Sequence, residues 1–235
     1  MQMSEHHNRP ILITGCARSG TSLTAGILNT CGAFGGELTG PTRWNKRGQF
    51  ENIYIRQEVT KPYLAHLGVD PLGQWPLPDV PMIIRQLVAD APGIRERMLN
   101  ALRAQGYGTE DPRRWFYKGA KMCLIWPLYH VAFPAADWVI VRREEEEIVA
   151  SCLKTGFMRA FDTAEGWKKW VAVHQTRFQE MKDAGLNVTE IWPRRIIGGD
   201  FSEIKPLVER LGLKWDKSRV VGFISPALWS GGTEK

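Results

Sequence analysis

Short apolar runs of strand character alternate along this chain with stretches of helical period. Ile11-Leu12-Ile13-Thr14 is an apolar, β-branched run stopped by Gly15, and Leu23, Ile27 and Cys31 then recur at helical spacing until Gly32. Strand, glycine loop and helix are the reading. From Leu38 to Asp79 the chain carries Gly40, Pro41, Gly48, Pro71, Pro76 and Pro78, with one helix expected over Asn52 to Leu67; this is an excursion over a sheet edge, the kind of segment that holds a substrate. Two helices are expected near Met82 to Asp90 and Ile94 to Gln105, then a short strand at Trp115-Phe116-Tyr117. A helix over Pro127 to Phe133 leads to a strand at Trp138-Val139-Ile140-Val141. Glu144 to Thr155 reads as a helix closed by Gly156, its four glutamates forming a solvated first turn where the helix dipole favours negative charge. Asp162 or Thr163 caps a long helix whose Trp167, Trp170, Val171, His174, Phe178 and Met181 share one face, a core stripe. His130 is likewise assigned to the core. A last strand over Asn187 to Trp192 and a helix capped by Ser202 and running to Leu211 complete the pattern. Alternation of this kind predicts one α/β domain, a P-loop-like parallel sheet of four or five strands with helices on both faces.

Length and composition agree with one domain. The chain has 235 residues, 43% hydrophobic and 24% charged, which is ordinary for a globular protein and excludes collagen-like, coiled-coil and disordered classes. No fixed-period repeat appears, so a solenoid is not expected. The expected division is a flexible N-terminus over residues 1–9, a domain over 10–226 and a C-terminal tail over 227–235. The net charge of +6 favours anionic ligands but is too small to argue for nucleic acid. No window approaches the roughly 20 apolar residues of a membrane span, and Met1 to Pro10 lacks the apolar core of a signal peptide, so a soluble, cytoplasmic protein is expected. Cys16, Cys31, Cys123 and Cys152 lie far apart with no metal-ligand spacing and read as reduced thiols. Among the ten tryptophans, Trp44, Trp75 and Trp126 are candidates for lining a flat or apolar pocket.

The sharpest chemical signal lies between the first strand and its helix, in Gly15, Cys16, Ala17, Arg18, Ser19, Gly20, Thr21 and Ser22. The G-x-x-x-x-G spacing is that of a phosphate loop, in which backbone N–H groups and a helix N-terminus surround an anion. A nucleotide kinase needs Lys after the second glycine, and Thr21 stands there. A cysteine phosphatase loop needs Arg six residues after its Cys, and that residue is Ser22.

Arg18-Ser19-Gly20-Thr21-Ser22 resembles the loop of the sulfotransferases that use 3′-phosphoadenosine 5′-phosphosulfate (PAPS), where it holds the 5′-phosphosulfate. A second motif of that family binds the 3′-phosphate through an Arg at a strand end and a Ser eight residues on, and Arg143 and Ser151 match it. Positions 144 and 151 are seven apart, so Ser151 faces the same way as the helix start beside Arg143. Arg142 is the neighbouring alternative. Gly35-Gly36-Glu37-Leu38 and Asn45-Lys46-Arg47-Gly48-Gln49-Phe50-Glu51-Asn52 resemble the acceptor loop of bacterial and phage members, and Phe116-Tyr117-Lys118-Gly119-Ala120-Lys121 resembles the strand end carrying a catalytic Lys. The resemblance runs from Ile11 to Leu213. It implies sulfuryl transfer from PAPS, without a required metal, to a hydroxyl or amine of a small-molecule or glycan acceptor. Arg18 and Lys118 would be the catalytic cations. The cytosolic animal members have a His as general base where Ala120 stands, so the base lies elsewhere. Glu51 is the first choice, with Glu58 and His66 in reserve; Glu51 reads equally well as a helix cap or a structural ion pair. Two other classes stay open: a small-molecule P-loop kinase, and a nucleotide-binding relative without turnover.

Overall fold

The computed structural model describes residues 8–225 and Ala227. Residues 1–7 of the expected N-terminal segment, and Pro226 and 228–235 around the expected tail, lie outside the described residues. Four strands, β1 (Ile11–Gly15), β2 (Phe116–Lys118), β3 (Asp137–Val141) and β4 (Val188–Ile191), form one parallel sheet in the order β2-β1-β3-β4. The register sets Lys118 beside Ile13, and Gly15 beside Val141, so the carboxyl ends of three strands meet at one edge. Ligands of open α/β sheets bind at that edge.

Both faces of the sheet are covered, and strand alternation decides which residue goes where. Leu12, Tyr117, Trp138 and Ile140 point into the larger core. That core is closed by a π-helical turn (Ile55–Thr60) running into α2 (Lys61–His66), and by α3 (Val80–Ala104), α4 (Trp126–Ala132), α5 (Glu145–Lys154) and α6 (Ala164–Asp183). Ile11, Ile13, Phe116, Val139 and Val141 point into the smaller core. α1 (Thr21–Thr30), α7 (Pro193–Ile197), α8 (Ile204–Arg210) and α9 (Lys217–Phe223) pack there. Among the described residues no helix is long and apolar enough to cross a membrane.

Several elements differ from the sequence pattern. The two helices expected on either side of Pro92 are one, α3, of 25 residues. Proline inside a helix costs about 3 kcal/mol, but Leu87 and Ala91 before it and Ile94, Met98 and Leu102 after it lie on one buried stripe, and that burial outweighs the lost hydrogen bond. Ser202 does not cap α8: its N–H donates to Asp200 Oδ1 at 2.9 Å, and Glu203 occupies the cap position. The sequence pattern does not mark the short α7 and α9. Thr163 does cap α6, its hydroxyl accepting from the Gly166 N–H at 3.3 Å, and the Trp167-to-Met181 stripe is buried. His174 is in that core, whereas His130 is half-buried.

Opposite the carboxyl edge, buried Asp137 accepts from Arg114 at 2.7 Å and Arg9 at 3.1 Å. Arg9 is thereby held against the start of β3, and Asn8 accepts from Arg95 at 2.5 Å.

Candidate functional site

The loop after β1 is shaped by close approach. A Cβ at Gly15 would stand 2.5 Å from the Val141 carbonyl oxygen, so only glycine lets the loop leave the sheet here. Arg18 takes a left-handed backbone (φ 73), stabilised by a Ser19 N–H bond to the Cys16 carbonyl at 3.1 Å. Leu23 and Thr24 N–H groups donate to Gly20 O, while the N–H groups of Thr21 and Ser22 stand at the open end of α1, where no carbonyl of the helix reaches them. Ser19 Oγ is fully buried without a hydrogen-bond partner among the described residues. An orphaned hydroxyl costs about 1 to 3 kcal/mol, and an anion seated in this loop would satisfy it. Burial pushes the Cys16 thiol well above its ordinary value, which disfavours the nucleophilic thiolate.

On the β3 side of the loop, Arg143 is buried at the strand end. Its Nη1 donates to the Arg18 carbonyl at 2.7 Å, and its Nε pairs with Glu147 Oε2 at 3.0 Å. Glu147 Oε1 also pairs with Arg194 at 3.2 Å, so this member of the glutamate run is bound to the site rather than solvated. Arg18 Nε donates to Ser151 Oγ at 3.0 Å. Burial, and after it the neighbouring Arg143 charge, lower the Arg18 pKa. Arg142, the alternative to Arg143, faces away: it lies over the rings of Phe178 and Trp192 and pairs with Glu190 at 3.1 Å.

On the β2 side, Lys118 Nζ and Arg56 Nε each pair with Glu51 at 2.9 Å, one to each carboxylate oxygen. Lys118 and Glu51 are both buried. Burial pushes the Glu51 carboxyl up, but the charges of Lys118 and Lys121, the Lys118 hydrogen bond and Arg56 outweigh it and bring the pKa down to about 2. Glu51 follows Phe50, the second non-glycine residue with positive φ (55) among the described residues, the first being Arg18. Strained backbone of this sort gathers at functional sites. Asn52 anchors the turn: its side chain donates to Gly35 O at 2.9 Å and Gln105 Oε1 at 2.8 Å and accepts from the Ile55 N–H at 3.1 Å. Beneath Lys118, Thr60 Oγ1 links the hydroxyls of Tyr117 and Tyr129 at 2.8 and 2.9 Å.

A strap joins the two sides. Ser22 Oγ donates to Gln49 O at 3.1 Å, and the Trp44 carbonyl accepts from Arg18 Nη1 at 3.5 Å. The residues singled out in the sequence therefore fall into two groups, Arg18 with Arg143 and Ser151, and Glu51 with Lys118. Glu58 and His66 are exposed. Trp126 is tied into the α4–α6 packing through its indole bond to Glu180 at 3.1 Å, and Trp75 meets Phe161 edge to face. Sequence reasoning missed Glu147, Arg56, Lys61 and Lys121. Only Glu147 had a readable signal, its position four residues after Arg143.

No protein-family profile matches the chain, and no curated protein matches it in sequence. Solved structures do match in fold. The sulfotransferase STF1 from Mycobacterium tuberculosis superposes with a TM-score of 0.51 at 15% identity, over 96% of this chain and 74% of that one. The sulfotransferase domain of the Synechococcus PCC 7002 olefin synthase gives 0.56 at 12% identity, over 98% of this chain and 90% of that one. The chain has a sulfotransferase-like fold.

Proposed function

We propose that this chain is a PAPS-dependent sulfotransferase acting on a hydroxyl or amine of a small-molecule or glycan acceptor, releasing adenosine 3′,5′-bisphosphate. The observation that carries the reading is the convergence of Arg18, Arg143 and Ser151 beside a phosphate loop whose buried Ser19 hydroxyl has no partner. In this reading the loop from Gly15 to Ser22 holds the 5′ end of the donor through its N–H groups and hydroxyls, and Arg143 and Ser151 take the 3′-phosphate. The fit is chemical: two guanidiniums and a hydroxyl offer donors on one side, and N–H groups offer them on the other.

Transfer forms a bond from the acceptor oxygen or nitrogen to sulfur and breaks the bond from sulfur to the bridging phosphate oxygen. Lys118 stabilises the charge that grows on that oxygen, with Arg18 adding positive potential from the loop. The acceptor's proton passes to Glu51. A carboxylate held at about 2 is a weak base, and two of the influences holding it there come from Lys118. When Lys118 turns to the bridging oxygen, Glu51 loses them and its basicity rises. Sulfate carries fewer charges than a terminal phosphate, so the reading requires no metal. Four buried free thiols fit a reducing compartment such as the cytoplasm, and the working unit is the domain over 10–226.

The test is calorimetry of adenosine 3′,5′-bisphosphate against adenosine 5′-monophosphate. A charge-assisted phosphate contact is worth about 1.5 to 3 kcal/mol, so the bisphosphate should bind roughly 10-fold to 150-fold more tightly. Equal affinities would overturn the 3′-phosphate assignment.

A further inference from the structure

The β2 side of the site holds more positive charge than the proposed transfer uses. Lys118 and Arg56 each pair with one oxygen of Glu51. Lys61 and Lys121 stand in the same field: Glu51 and Arg56 act on both, and Lys61 acts on Lys121. Among the described residues neither of these lysines makes an ion pair; Lys61 Nζ donates only to Gln57 Oε1, at 3.1 Å. Four cations thus gather around one carboxylate.

Backbone geometry brings them together. Arg56 and Lys61 are five residues apart, which on an α-helix would turn them about 140° away from each other. The Ile55–Thr60 turn is π-helical, and the Lys61 N–H donates to the Arg56 carbonyl, the i→i+5 bond that returns both residues to one face. Lys121 comes from the other side, in the 3₁₀ segment Ala120–Ile125 that follows β2. Its stem is wedged against Gly73: a Cβ there would meet Lys121 Cγ at 3.0 Å, so the lysine packs close only because position 73 is glycine. Burial lowers the Lys121 pKa, with Glu51 opposing that and the neighbouring cations adding to it. Lys61 and Lys121 are both partly exposed, so an anion from solution can reach charge that no ion pair among the described residues offsets.

This anion is distinct from the donor's phosphates. Arg18, Arg143 and Ser151 stand toward β3, whereas Lys118 and Lys121 follow β2, with β1 between. Resting on the sulfotransferase reading above, we infer that the acceptor carries its own anionic group, a carboxylate, sulfate or phosphate, bound by Lys61 and Lys121 with Arg56 beside the group that is sulfated. Lys61 and Lys121 are thereby specificity-determining residues, and neutral alcohols of the same shape are poor acceptors.

The experiment uses the full chain saturated with adenosine 3′,5′-bisphosphate, so that the phosphate loop is filled. Thermal melting is followed with two matched pairs: glycolate against ethylene glycol, and 4-hydroxyphenylacetate against 4-hydroxybenzyl alcohol, with chloride as the ionic-strength control. The anionic members should raise the melting temperature and the neutral members and chloride should not. Lys121→Gln and Lys61→Gln should each weaken anion binding about tenfold, the effect of one charged contact, without changing affinity for the bisphosphate. The inference is overturned if the anions act no differently from chloride, or if their effect survives both substitutions. Lys61 is partly exposed on its helix, so Lys61→Gln keeps the test readable should Lys121→Gln fail to fold. If the bisphosphate itself does not bind, the sulfotransferase reading falls, and the same anion titration on the unliganded chain still decides whether the cluster binds anions.

Discussion

On the β3 side of β1, Arg143 pairs with Glu147 and donates to the Arg18 carbonyl, while Arg18 donates to the Ser151 hydroxyl. On the β2 side, four cations face Glu51 alone, and two of them have no ion-pair partner among the described residues. The first region carries a smaller positive excess and is held by hydrogen bonds within itself. The second carries an excess of charge. A region prepared for one constant ligand gains from being pre-organised, since less ordering is paid at binding. A region with surplus charge is completed by its ligand. In the proposed reading, the contrast matches a donor common to every turnover on one side and an acceptor that supplies part of the site's charge on the other.

Removing the carboxylate of the β2 side should have the largest effect. Glu51→Gln is expected to lower turnover by about 10² to 10⁴ while leaving calorimetric affinity for adenosine 3′,5′-bisphosphate unchanged. Retained turnover would move the base elsewhere. Glu51 and Lys118 are a buried pair, and breaking such a pair costs about 3 to 5 kcal/mol; the melting temperature of the variant separates a lost base from a lost fold. Glu58→Gln and His66→Ala, at exposed positions, should lose much less.

The opposite outcome is expected on the β3 side. Arg143→Ala should weaken the bisphosphate roughly 10-fold to 150-fold, leave adenosine 5′-monophosphate nearly unaffected, and leave turnover at saturating donor close to that of the native chain. A fall in saturated turnover as large as that of Glu51→Gln would erase the distinction between a binding side and a reacting side.

The smallest effect is one of pH, and it separates the site from the core. Burial lowers the pKa of His174 to about 4, with its ring hydrogen-bonded to the Trp170 carbonyl at 2.8 Å. The unfolded chain, with an ordinary His pKa near 6.5, binds the proton first, so stability is full above about pH 6.5 and is lost as pH falls toward 4. The slope approaches about 1.4 kcal/mol per pH unit at most. Glu51 behaves in the same direction at lower pH: its depressed pKa contributes stability above the ordinary carboxylate value that is lost as pH falls through about 2. Urea denaturation between pH 7 and pH 5 should therefore show a loss that His174→Leu removes and that Arg143→Ala and Lys61→Gln do not.

Much of the β3 side could be read from the sequence because its chemistry is local. The phosphate loop sits where an apolar strand meets a helix, and Arg143, Glu147 and Ser151 follow one another at helical spacing after a strand. The alternation of strands and helices likewise carried the sheet and its two covered faces. The β2 side was different. Glu51 and Lys118 are 67 residues apart, and their contact depends on where the excursion after α1 docks against β2. The alignment of Arg56 with Lys61 depends on one extra residue in a helical turn, which no propensity marks. Continuity of α3 through Pro92 was decided in the same way, by burial on both sides of the proline rather than by the proline itself. Local pattern determines what backbone hydrogen bonding and side-chain period can decide over a few residues. The gathering of like charges around Glu51 is unfavourable by itself, and only the packing of distant segments holds it in place.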